Sequence, residues 1–172
     1  MTAIELIRDQ FKSAHETLEA TVADLTQERA SYKQLGKAIP AGAAYAHAVI
    51  SEDIMLSRMF AQTDPVFTDA ESAGLSEAMP SMDEWSKHEE WYQTVKVDLP
   101  KFREYAKKVY QATDDYLSGL TDDDLDTIID RPVVGKQKLA FLLSNFFILH
   151  TANLTGEISA AKGVQGLKGY PW

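Results

Sequence analysis

The stretch that most limits what this chain can become is LAFLLSNFFILHTANLTGEISAAKG, residues 139–163. It opens with an apolar run longer than a typical strand and too short to cross a membrane. It then turns small and polar without losing helical character, and Gly163 suits a helix C-terminus. At three- and four-residue steps Leu139, Leu143, Phe146, His150, Leu154 and Glu157 fall on one stripe of that helix. A stripe this apolar faces a core, which turns His150 inward. An inward histidine needs a partner, since an unpaired buried polar group costs about 1–3 kcal/mol.

Two more long periodic segments lie upstream. Thr2 and Glu5 have capping-box spacing, and Ile4, Ile7, Phe11, Ala14, Leu18, Val22 and Leu25 then recur on one helical face. His15 sits beside that face and reads as a boundary histidine touching solvent. After a loop over 35–42, a second helix is expected over about 43–62, with His47, Ile50, Ile54 and Met55 on one stripe and Ser51 on the His47 side. Glu52 and Asp53 read there as outward charges. Residues 64–80 lack periodicity and form a long connection.

Ser81 and Glu84 suggest another capping box, opening a segment with Trp85, His88, Trp91, Tyr92 and Val95. Pro100 fits the first turn of a continuing helix or a kink near residue 98. Phe102, Tyr105, Val109, Thr113 and Leu117 extend the helical spacing. The acidic turn at 121–124 lacks the alternation of a calcium loop and reads as a helix start. Residues 128–138, with Val133 and Val134, read as an extended crossover. The expected architecture is all-α: one domain over 1–172, a four-helix bundle with a long connection between helices 2 and 3.

The balance of 26 acidic against 17 basic residues gives a net charge of −9, which argues against nucleic-acid binding. With no cysteine there is no disulfide, thiolate metal site or cysteine nucleophile. The N-terminus has no signal-peptide pattern, and no window reads as a membrane span, so a cytoplasmic location with no membrane partner is expected. No GxSxG, phosphate loop or GxGxxG occurs, and His88–Tyr92 lacks the second histidine of a zincin helix. His47 and His150 are then the two inward histidines on different helices. Such a pair can converge on a divalent metal, or each can be bonded to a neighbour or a water.

The stretches HTANLTGEISAAKGVQGLKGYPW (150–172) and YAHAVISED (45–53) resemble motifs of the DinB-like superfamily, as do the phrases at 24–26 and 120–125. The resemblance spans essentially the whole chain. It implies a four-helix bundle, a homodimer, and a divalent metal such as zinc or nickel held by three histidines. Relatives include thiol-dependent transferases and isomerases. Two of the ligands would be His47 and His150; the third position, four residues on, is Leu154, which has no donor atom. Asn153 or Glu157 would have to substitute, and Glu157 lies about 10 Å further along the helix. The expected pocket lies between the second and fourth helices, lined by Ser51, Asn153, Leu154 and Glu157. Two functions are in contention: a metal-dependent hydrolase or thiol transferase with an incomplete three-histidine site, and a metal-free bundle that binds a small molecule or serves only in assembly.

Overall fold

The computed structural model describes every residue except Met82 and 132–134, together with the side chain of Trp85. The expected roles of Val133, Val134 and the Trp85 side chain lie outside what is described.

Helix α1 (Ala3–Val22) starts as its sequence dictates. Thr2 Oγ1 accepts from the Glu5 amide, and Glu5 Oε2 accepts from the Thr2 amide. A second cap comes from far along the chain, where the Asp122 carboxyl accepts from the amides of Ala3 and Ile4 at 3.2 and 2.9 Å. One residue of the acidic turn thus serves a helix start, though of α1 rather than of its own segment. The short α2 (Gln27–Ala30) is capped by Thr26.

Helix α3 (Ala41–Met55) continues through a wider π-helical turn, Leu56–Ala61, and stops where Gln62 takes a positive φ of 54°. Nearly all of α3 is buried, so it has no solvent face for charges to occupy. The 64–80 connection is not plain loop. It holds α4 (Ala70–Ala73), capped by Asp69, and Leu75 pairs with Val97 in an antiparallel bridge. Gly74 closes that turn at φ +81°, and a Cβ there would sit 2.9 Å from the Lys101 Cβ. No other residue fits without movement.

The segment expected as one helix around Pro100 is two: α5 (Trp85–Thr94) and α6 (Leu99–Ser118). Asp98 caps α6 and Pro100 occupies its first turn, so the proline starts a new helix instead of kinking an old one. In the expected crossover at 128–138, the described residues form two antiparallel strands, β1 (Ile128–Arg131) and β2 (Gly135–Lys138), registered Ile128 to Lys138. Paired backbone explains the correction: two short polar strands satisfy their own amides, which a bare crossover would not.

The last helical segment runs from α7 (Leu139–Leu142) through a second π-helical turn, Leu143–Ile148, into α8 (Leu149–Val164). The wide turn shifts the register, so Phe147 rather than Phe146 is the buried aromatic. Taken as one helix, Leu139–Val164 spans 26 residues with a mean hydropathy of 1.3 over its most apolar window, long and apolar enough by composition to cross a membrane. This corrects the expectation that no window qualifies: the small, polar second half of the helix still counts toward its length. Here α8 packs on α1 and α3, and α6 packs on the same two helices. The architecture is predominantly helical, with two apolar clusters. One holds Leu18, Tyr45, Ile50, Phe102 and Ile158; the other holds Phe11, Leu117, Leu139, Leu143 and Phe147.

Candidate functional site

The packing of α3 against α8 brings His47 and His150 together, with Nε2 to Nε2 at 3.1 Å and ring planes 64° apart. Both residues are half-buried. Helix α5 adds Tyr92, whose hydroxyl lies 3.1 Å from His47 Nδ1. Two proton arrangements satisfy this chain: Tyr92 donates to Nδ1 and His47 Nε2–H donates to His150, or both bonds run the other way. In either one, the two Nε2 atoms are used on each other.

Electrostatics keep the pair neutral. Burial pushes the His47 imidazole down to about 3, helped by His150 and His88 nearby. Burial lowers His150 too, partly opposed by the Glu52 charge. Burial, with the nearby Glu157 charge, pushes the Tyr92 phenol up to about 12. The site therefore offers neutral hydrogen-bonding groups at ordinary pH, with no resident charge of its own on the two rings.

The remaining expected residues divide. Leu154 is buried at 5% exposure and packs into the core, and Ser51 is buried on α3. Asn153 and Glu157 are exposed, and neither makes a hydrogen bond to the pair among the described residues. Two ligands held at about 2.1 Å on one ion stand roughly 3.0–3.4 Å apart, so the Nε2 spacing alone would suit a metal. The rest does not. Among the described residues no group of three His, Cys, Asp or Glu is placed to hold an ion. The third position is Leu154, which has no donor atom, and a three-donor site does not fit the residues described.

Sequence reasoning missed Tyr92 as a partner, and it misplaced three ionisable residues. His15 is buried, not a boundary residue, and its Nε2 lies 2.9 Å from Glu52 Oε2. Thr113 donates to the other Glu52 oxygen at 2.6 Å. Asp53 accepts from the amides of Val66 and Phe67 at 2.9 and 2.8 Å, and from the Tyr105 hydroxyl at 2.8 Å. Glu52 and Asp53 are 3% and 2% exposed, so neither is an outward charge. A signal was available: AGAAYAHAVISEDIM has no polar stripe, so charges on it had to be buried and paired.

Residues 10–153 match the sequence profile of the DinB superfamily. A crystal structure of a conserved protein from Enterococcus faecalis aligns with a TM-score of 0.81 at 19% identity, covering 96% of this chain and 99% of that one. At that identity the likeness speaks for the fold. A comparison with functionally curated proteins finds no match. With a profile match over most of its length, this chain belongs to the DinB superfamily.

Proposed function

We propose that this DinB-superfamily chain binds a small molecule beside the His47–His150 pair and keeps no three-ligand metal there. The observation that carries this reading is the 3.1 Å contact between the two Nε2 atoms, with Leu154, which has no donor atom, buried four residues after His150. Each ring spends on its neighbour the lone pair or proton that a metal would claim, while Tyr92 fixes the outer nitrogen of His47. A ligand with a polar group can compete for these neutral donors and acceptors, because both rings keep some exposure. The packing of α1, α3, α6 and α8 on one another supports reading the whole chain as one bundle domain.

A second reading is a metal-dependent hydrolase or thiol transferase, and the Nε2 spacing favours it. Its reaction class rests on family likeness alone. Metal analysis of protein purified without an affinity tag separates the two. Under the first reading the chain carries no stoichiometric zinc or nickel, and Leu154→His, which restores two histidines one turn apart, gains zinc affinity by calorimetry. One metal per chain, lost in His47→Ala, would establish the second reading instead.

Homodimerisation belongs to the same proposal. Tyr170 and Trp172 stack at 5.5 Å, and Trp172 stays 75% exposed, an apolar tail end suited to a second copy. Light scattering at micromolar concentration is expected to give twice the chain mass; a monomer would remove this part.

A further inference from the structure

The last helix has an uncovered apolar side. Only 39% of its most apolar window is buried within the chain. Phe141, Asn145, Leu149 and Ala152 follow one another at three- and four-residue steps, and all four are exposed. Between Lys138 and Lys162 the one carboxylate is Glu157, whose charge is felt by Tyr92 at the histidine pair. Ala152 also lines a groove of about 590 Å³ between α1 and α8, with Leu6, Ala14, Ile148, and Tyr170 and Trp172 of the C-terminal tail. Asp9 is the one charged residue of the described lining. The tail that forms this rim is seated, not loose. A Cβ on Gly169 would stand 3.1 Å from the Ser159 carbonyl oxygen, and a Cβ on Gly156 would meet the Tyr170 hydroxyl at 3.3 Å. Lys168 Nζ donates to the Pro171 carbonyl at 3.0 Å. Trp172 is therefore presented from a backbone laid against α8, with its indole open to solvent.

Size and charge together point to what covers this face. Leu6, Phe141 and Leu149 are each 45–49% exposed, and Tyr170 and Trp172 add aromatic surface. The five side chains leave on the order of 500 Å² uncovered, above what an isolated protein usually shows in one patch of no function. That is most of the about 800 Å² that each partner of a stable pair buries. A chain of net charge −9 repels a second copy over most of its surface, and this nearly uncharged side is where two copies can approach. The same charge disfavours an anionic lipid surface. Knob and hole also share one face: the exposed indole stands at the rim of a groove large enough to receive an indole. A twofold pair needs that arrangement, because whatever one copy inserts is received by the same groove on the other. We propose that two copies pair through this face, each copy's Trp172 lying in the other's α1–α8 groove. The proposal rests on the homodimer reading above and goes beyond it by fixing the face and the residue exchanged.

The test measures the dimer dissociation constant of the full chain by light scattering across a dilution series. Trp172→Ala and Leu149→Glu should each raise it at least about tenfold. Leu35→Glu, at a fully exposed leucine in the loop before α3, adds the same charge as Leu149→Glu and should leave the constant unchanged. Because the chain has no cysteine, Leu6→Cys chains mixed with Trp172→Cys chains should be joined by a short bismaleimide, and Leu6→Cys mixed with Leu35→Cys should not. If Leu149→Glu does not fold, Trp172→Ala and the crosslink decide. A wild-type monomer would remove the homodimer reading and this proposal with it. A dimer indifferent to both substitutions would overturn this proposal alone. Weakening by Leu149→Glu only, with no Leu6–Trp172 crosslink, would overturn the exchange of Trp172. Binding of a monomeric wild type to phosphatidylcholine vesicles, lost in Leu149→Glu, would assign the face to a lipid surface instead. None of these outcomes bears on the metal content that tests the His47–His150 reading.

Discussion

Helix α3 carries two polar regions that solve burial in different ways. On one side Glu52 and Asp53 are surrounded by donors: a threonine and a histidine for Glu52, two backbone amides and a tyrosine for Asp53. Glu19 on α1 belongs to this group, since its Oε1 accepts from Tyr45 and Tyr110 at 2.6 and 2.8 Å. On the other side His47 has only a second imidazole and one phenol. The two regions are five residues apart, about 7.5 Å along the axis and roughly 140° around it. The carboxylates are saturated and act as struts that tie α1, α6 and the 64–80 connection to α3. The histidine pair is neutral, half-buried and lightly bonded.

That contrast can be broken at several points. The largest effect is expected at the strut. Asp53→Ala leaves two backbone amides and the Tyr105 hydroxyl without their acceptor, so urea unfolding should show a loss of about 3–5 kcal/mol. A loss under 1 kcal/mol would mean that water replaces the carboxyl and that the region is no strut.

Next comes acid. An unfolded His47 takes up a proton near pH 6.5, whereas the folded one resists until about 3. Its contribution is therefore intact above pH 6.5 and falls as pH drops through that window, by up to about 1.4 kcal/mol per pH unit. Unfolding midpoints between pH 7 and 4.5 should show this slope in the parent and a shallower one in His47→Gln. Parallel slopes would place the acid sensitivity elsewhere.

A smaller effect is expected at Tyr92→Phe, which removes one hydrogen bond to His47 Nδ1 and leaves that atom its partial solvent access. The cost should be about 1 kcal/mol, with a changed ¹⁵N shift at Nδ1 and no change at His15. The smallest is at Arg8→Ala, between α1 and α6. Its pair with Asp114 at 2.8 Å is exposed, so stability should move by less than about 0.5 kcal/mol.

By itself the sequence determined the helical class, the capped start of α1 and the inward turn of His47 and His150, because periodicity and local capping are properties of neighbours along the chain. It also supplied the absence of a donor atom at Leu154, which holds for leucine in any fold. Only the tertiary structure decided where polar groups far apart in sequence would meet. His15 looked peripheral until α3 brought Glu52 to it, and Asp122 found its role at the start of a helix more than a hundred residues away. The break between α5 and α6, the pairing of β1 with β2 and the register shift before His150 were likewise set by packing and backbone pairing. These depend on what lies across the core, which no local spacing encodes.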